Sequence, residues 1–66
     1  MTATDEEKLR ALLPHWIEHN AEHAAEFRRY AALAGDAAAD LEAAAQHVEA
    51  ANASLAAAMQ KLGVNA

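Results

Sequence analysis

Cysteine is absent from this 66-residue sequence, which excludes a disulfide framework, a thiolate nucleophile and every metal site built on sulfur. Large apolar residues are also scarce, because 21 residues are alanine and Trp, Tyr and Phe occur once each. Alanine favours helix but buries little area. A chain this small must therefore be stabilised by helix packing, by oligomerisation, or by a metal held by histidines and carboxylates.

Basic residues are few, with five Lys and Arg against ten Asp and Glu and a net charge of −5. Nucleic-acid binding is therefore not expected, because phosphate backbones are bound by clustered Lys and Arg. No apolar run approaches the length of about 20 residues that a membrane span requires, and no signal peptide opens the chain. We expect a cytoplasmic protein that binds neither nucleic acid nor membrane.

Apolar residues recur at alternating spacings of four and three in both halves of the chain, which is typical of helices that pack along one face. In the first half, this spacing runs through Leu9, Leu13, Trp16, Asn20, His23, Phe27 and Tyr30. In the second half, it runs through Leu41, Ala45, Val48, Asn52, Leu55, Met59 and Leu62. The sequence therefore predicts an all-α fold with two packed helices.

Glycine marks the connection between these helices. Gly35 has the character of a left-handed residue that closes the first helix, and Asp36 that of the N-cap of the next. This predicts helices over about 5–34 and 37–62, joined by a turn at about 35–36. A connection this short folds the helices back antiparallel, so residues 1–66 are predicted to form a single helical hairpin.

One proline interrupts the first helix. Pro14 cannot donate the hydrogen bond that the Arg10 carbonyl would accept, and its ring clashes with the preceding turn. Either the helix kinks there, or a short helix ends and a longer one begins. We favour one helix kinked near Pro14.

The apolar surface is wider than two helices can cover. Leu12, Ile17, Leu33 and the alanines beside them extend each apolar face beyond a two-helix seam. Two hairpins that pair into a four-helix bundle would bury the remainder. We therefore expect a homodimer.

Three histidines recur every four residues in the stretch HWIEHNAEH. Residues four apart lie one above the other on a helix, so His15 with His19, or His19 with His23, can offer two imidazoles to one ion. All three cannot share an ion, because the first and last are about 12 Å apart along the helix axis. Glu26 follows on the same face as His19. We predict His19, His23 and Glu26 as the principal metal ligands, with His15 extending the site.

Imidazole and carboxylate ligands suit zinc, nickel, cobalt or copper, and the sequence alone does not choose among them. A two-fold dimer would duplicate the cluster, so that two His pairs across the axis could form a site of four nitrogens. His47, the fourth histidine, is expected to point outward into solvent.

Two stretches, His15–His19 and His19–His23, match the H-x-x-E-H signature of inverted zinc proteases. Two helices cannot build the enclosed cleft that catalysis needs. Di-iron bundles use Glu-x-x-His, whereas here the order is reversed to His-x-x-Glu. We therefore expect a binding protein that sequesters, delivers or senses a metal ion, and not an enzyme.

The competing hypothesis is a structural or protein-interaction bundle without metal. Asn20 and Asn52 both fall on the predicted seam and lie at nearly the same level of an antiparallel hairpin. A buried Asn pair lowers stability but fixes register and partner choice. In that case the histidines are a solvated polar stripe, and Trp16 is a core residue packed near Leu55.

The stretch HWIEHNAEHAAEFRRYA, followed by VEAANASL in the second helix, resembles small uncharacterised prokaryotic helical domains with an HW-x-x-HN-x-x-H motif. Such domains sometimes accompany cobalt- or nickel-handling proteins such as sirohydrochlorin chelatases. The resemblance covers nearly the whole chain, favours nickel or cobalt over zinc, and implies a metal-handling protein as partner. It groups into one unit the residues His15, Trp16, His19, Asn20, His23 and Asn52. Tyr30 stands where the resemblance would place a tryptophan, a change that should affect packing more than chemistry.

Overall fold

The computed structural model describes residues 3–64, which form two long helices and no strand. Helix α1 spans Ala3–Ala31, and helix α2 spans Ala38–Lys61 after a 3-10 turn at Gly35–Ala37. The helices pack against each other over an elongated body of 48 × 19 × 14 Å. The predicted all-α antiparallel hairpin is confirmed. Neither helix, as described within residues 3–64, is long and apolar enough to cross a membrane.

The connection is longer than the sequence predicts, because α1 ends at Ala31 and a 3-10 turn precedes α2. Gly35 has a φ of +56°, so its predicted left-handed conformation is confirmed. Asp36 lies inside the 3-10 turn, and the N-cap position of α2 belongs to Ala37, which makes no side-chain capping bond. The prediction that Asp36 caps the second helix is therefore wrong. Gly63, with a φ of +75°, follows the end of α2.

Helix α1 is continuous through Pro14, so the alternative of two separate helices is wrong. Pro14 and Arg10 are both exposed. Water can therefore satisfy the Arg10 carbonyl, which has lost its helical donor. The Arg10 side chain links α1 to the end of α2 at the open end of the hairpin, because its Nε donates to the Leu62 carbonyl at 2.9 Å.

The core is small and rich in alanine. The fully buried apolar residues are Leu13, Ala24, Ala31, Ala45 and Met59. Three of these five are alanine, whose side chains allow the helix backbones to approach closely. Every residue of the seam predicted for α2 is buried or half-buried, so that seam is confirmed.

The seam predicted for α1 is wrong at three of its seven positions. Trp16 and Tyr30 are 39% and 52% exposed, and His23 is exposed as well. Ile17, Ala24 and Ala31, each one residue further along, face the core instead. Trp16 is therefore not the core residue that the sequence predicts. The contact face of α1 is rotated toward the smaller side chains.

The predicted asparagine layer is confirmed. Asn20 Nδ2 donates to Asn52 Oδ1 at 3.0 Å, and Asn52 Nδ2 donates to the Ile17 carbonyl at 3.0 Å. Among the residues described, no buried side-chain nitrogen or oxygen lacks a hydrogen-bond partner. Since a shift in register would separate both bonded pairs, this layer fixes how the helices align.

An ion-pair cluster joins the helices closer to the turn. Arg28 donates from Nη2 to Glu49 Oε1 at 2.7 Å and from Nε to Glu42 Oε2 at 3.2 Å. The hydrogen bond from Arg28 holds the pKa of Glu49 below its ordinary value, against an opposing effect of desolvation. The bond to Glu49 also raises the pKa of Arg28, a side chain that is charged at all ordinary pH values.

Candidate metal site

His19 and His23 converge on the outer side of α1. Their Nε2 atoms are 3.0 Å apart, and their rings meet edge to face with centroids 4.4 Å apart at an interplanar angle of 86°. The spacing of four residues produces this contact, because it sets one side chain above the other on the helix. The pair thus brings the Nε2 atoms of the two rings into direct contact.

The separation of the two nitrogens matches that of two ligands on one metal ion. Zinc–imidazole bonds are about 2.0–2.1 Å long. Two such bonds at a right angle place their nitrogens about 2.9 Å apart, and at a tetrahedral angle about 3.3 Å apart. The observed distance of 3.0 Å lies between these values. Binding an ion would therefore change the distance between the two nitrogens by only a few tenths of an ångström.

The tautomers of the pair follow from this contact. Two facing Nε2 atoms at 3.0 Å form a hydrogen bond only if one carries the hydrogen and the other accepts it. A metal ion needs a lone pair from both nitrogens, so the donating ring must first move its hydrogen from Nε2 to Nδ1. The pair can therefore bind an ion after a change of tautomer in one ring.

Two further rings extend the pair along α1. The His15 ring stacks beside that of His19, with centroids 6.0 Å apart and planes inclined by 17°. The Phe27 ring lies 6.0 Å from that of His23, inclined by 22°. His15 is exposed, whereas Phe27 is half-buried against the body of the hairpin. Phe27 therefore lies beside the pair at its end nearer the turn, a contact that the spacing of four residues indicates but that was not predicted.

Glu26, the predicted carboxylate ligand, is exposed and lines a shallow surface depression with Glu22, Ala25 and Arg29. His47 is exposed on α2, as expected. Across residues 3–64, no three His, Asp or Glu side chains form a group that could hold a metal ion. The hairpin brings together His19 and His23, and a single chain offers a two-nitrogen site.

The histidine pair lies within a row of exposed large side chains, which we name the outer stripe. It consists of Leu12, Trp16, His19, His23, Tyr30 and Leu33. At 3.6 residues per turn the five members of the stripe within α1 fall within an arc of about 60°, roughly a quarter of a turn from the residues that face α2. Leu33 follows in the turn after the helix. Three of these residues were predicted to lie on the hairpin seam, so the separate face that they form was not predicted.

One family model matches most of the chain. It covers residues 9–62, which include nearly all of α1, the turn and α2 with the histidine pair. No curated protein and no solved structure matches the sequence. The chain belongs to the family described as Domain of unknown function (DUF8180).

Proposed function

We propose that the protein binds a transition-metal ion through the imidazoles of His19 and His23. The observation that carries this proposal is the distance of 3.0 Å between the two Nε2 atoms, which suits two bonds to one ion. Both rings are exposed, so an ion can reach them from solvent. His15, stacked on His19, would extend the site as a second pair, and Glu26, three residues after His23, would supply a carboxylate.

Zinc, nickel, cobalt and copper are the ions for which imidazole is a suitable ligand. The resemblance to domains that accompany cobalt- and nickel-handling proteins favours nickel or cobalt, and a metal-handling protein as partner. The role is sequestration, delivery or sensing in the cytoplasm, without catalysis. An exposed pair on one helix supports this, since turnover requires a pocket that excludes water and orients a substrate.

We also propose that the hairpin is a homodimer that forms a four-helix bundle. Its accessible surface is 4716 Å² for a mass of 7.0 kDa. A compact monomer of that mass exposes roughly 4,000 Å². The surplus of about 700 Å² reflects the elongated hairpin, and pairing two hairpins side by side would reduce the exposed surface of each.

Metal titration of protein purified without a histidine tag tests the metal hypothesis. We expect isothermal calorimetry with zinc, nickel and cobalt to give low-micromolar binding for the wild type and a loss of at least about tenfold in affinity for His19→Ala, because a single imidazole remains. His47→Ala is the matched control, since it removes an exposed histidine from α2. Equal binding by the wild type and His19→Ala would refute the proposal.

The second candidate function is a structural or protein-interaction bundle that binds no metal. The outer stripe favours it, because Leu12, Tyr30 and Leu33 are 41%, 52% and 79% exposed and would gain free energy from burial against any apolar partner. Native mass spectrometry before and after chelation separates the two functions. A dimer unaffected by chelator and by all added ions would support this second candidate.

A further inference from the structure

We infer that the outer stripe is the face on which two copies of this chain pair antiparallel, so that His19 and His23 of both copies surround one metal ion. This inference rests on the proposed metal binding and specifies the partner of that site. Three observations carry it. One chain supplies an incomplete set of metal ligands, side chains of the outer stripe are spaced symmetrically about Ala21, and large apolar side chains of the same stripe are exposed.

The ligand set is incomplete in one chain. Structural zinc sites have four ligands, whereas His19 and His23 supply two. Within the part of the chain that the structure describes, no third His, Asp or Glu joins them. A second copy can supply the missing ligands, and a two-fold axis through the ion supplies an identical pair of nitrogens.

Four members of the outer stripe form two pairs that are spaced symmetrically about Ala21. His19 and His23 each lie two residues from Ala21 in sequence, and Leu12 and Tyr30 each lie nine residues from it. In an antiparallel pair with its axis at the level of Ala21, the contact of one residue with another occurs twice. His19 then lies opposite His23 of the partner subunit, and Leu12 opposite Tyr30 of the partner subunit.

The ends of the stripe supply the apolar contacts that a dimer needs. Leu33 lies twelve residues after Ala21, and the half-buried Leu9 lies twelve residues before it. The same symmetry therefore brings Leu9 of the partner subunit to the end of α1, beside the turn that carries Leu33. Large apolar side chains thus flank the four imidazoles on both sides, as in interfaces with a polar centre that specifies register. In this arrangement the third and fourth ligands are imidazoles, and Glu26 lies near Trp16 of the partner subunit, away from the ion.

A parallel pair would set different residues opposite one another. In a parallel arrangement Leu12 lies opposite Leu12 of the partner subunit, and Tyr30 opposite Tyr30. In the antiparallel arrangement the two copies of Leu12 are separated by 18 residues of helix rise, about 27 Å. This difference is large enough for a covalent probe to distinguish the two registers.

Because the chain contains no cysteine, an introduced cysteine can serve as that probe without competing thiols. We would prepare Leu12→Cys and Tyr30→Cys separately and oxidise each alone and in an equimolar mixture, with zinc present. The antiparallel dimer predicts a heterodisulfide in the mixture and little disulfide in either variant alone, because a disulfide needs Cα atoms closer than about 7 Å. Homodisulfides in each variant alone, at yields equal to that of the mixture, would overturn the inference.

Metal stoichiometry provides the second readout and separates this inference from the function on which it rests. We expect native mass spectrometry with zinc or cobalt to detect one ion per two chains in the wild type and in His47→Ala. One ion per chain, lost in His19→Ala, would overturn the four-imidazole dimer but leave metal binding by the pair intact. If no ion bound at any concentration up to about 1 mM, both would be refuted.

A charge-swap pair tests the register without oxidation. Leu12→Glu alone should dissociate the dimer, since it sets a carboxylate against Tyr30 of the partner subunit. Adding Tyr30→Lys should restore association, because the two new side chains are opposite in charge and adjacent only in the antiparallel pair. Circular dichroism of each variant checks that the hairpin still folds. A double variant that stays folded but monomeric would contradict the proposed register.

Discussion

The two sides of α1 differ in the size of their side chains. The side that faces α2 buries Ala24 and Ala31, with Leu13 as its one fully buried large residue. The outer side carries Trp16 and Tyr30, which are 39% and 52% exposed. Both sides repeat at the spacing expected of a packing helix. The spacing of apolar residues alone therefore does not identify which face a helix buries.

The close approach of the two helix backbones explains which side of α1 packs against α2. Alanines on both helices, such as Ala24 and Ala45, let the axes come close, so the asparagine side chains of the two helices reach each other. Trp16 on the same face would force the helices apart. The hairpin therefore buries its small residues and leaves the large ones available for another contact.

The largest expected difference between the two sides is in stability. We expect Leu13→Ala to lower the free energy of unfolding by about 2–5 kcal/mol, because it removes a buried side chain and leaves a cavity. Leu12→Ala makes the same chemical change one residue earlier, at a position that is 41% exposed, and should cost less than about 0.5 kcal/mol in the monomer.

Urea denaturation followed by circular dichroism measures both changes. The protein should be dilute enough to be monomeric, since association would add to the apparent stability. Equal losses for Leu12→Ala and Leu13→Ala would contradict the assignment of the two faces.

The asparagine layer should produce an intermediate effect. Asn52→Ala removes the bond to Asn20 and the bond to the Ile17 carbonyl, and we expect it to destabilise the hairpin by about 1–3 kcal/mol. A double-mutant cycle with Asn20→Ala should give a coupling energy of about 1 kcal/mol. Ser54→Ala, at an exposed position of α2, is the control. Additive losses from the two asparagine substitutions would show that the layer contributes nothing as a pair.

The smallest effect should come from the Arg28 cluster, because ion pairs near the surface contribute little. Folding lowers the pKa of Glu49 below its reference value of 4.5. The contribution of the ion pair to the free energy of unfolding is therefore complete above pH 4.5, and it is lost as the pH falls through the lowered pKa of the folded state. The melting temperature of the wild type should exceed that of Glu49→Gln at pH 7, and the difference should shrink toward pH 3. Glu18→Gln, at an exposed position, serves as the reference. A difference that persisted unchanged at pH 3 would exclude the ion pair as its cause.

The sequence was sufficient to predict the hairpin, the left-handed Gly35 and the asparagine layer. Each depends on a local rule: a repeat of four and three, a residue tolerant of positive φ, and two polar residues at one level of an antiparallel pair. The seam of α2 was also predictable, because its larger apolar residues, such as Leu55 and Met59, lie on one side only.

The contact face of α1 was not predictable in the same way. Two overlapping patterns share Leu13, Asn20 and Phe27 and differ only at the positions between them. Hydrophobicity favours the pattern with Trp16, whereas close approach of the helices favours the one with Ala24. This choice depends on the neighbouring helix, which no local rule contains. The contact between His19 and His23 was predictable from their spacing. The spacing did not reveal that Glu26 stays outside a common group of ligands with them.

The hydrogen bond between His19 and His23 makes two chemically identical side chains unequal. One ring carries its hydrogen on Nε2 and donates, while the other accepts through a free Nε2 lone pair, so the two neutral rings are different tautomers. A metal ion needs the lone pairs of both Nε2 atoms, and it therefore requires the same tautomer, with the hydrogen on Nδ1, in both rings. The metal-free pair is asymmetric, and binding an ion would make its two members alike.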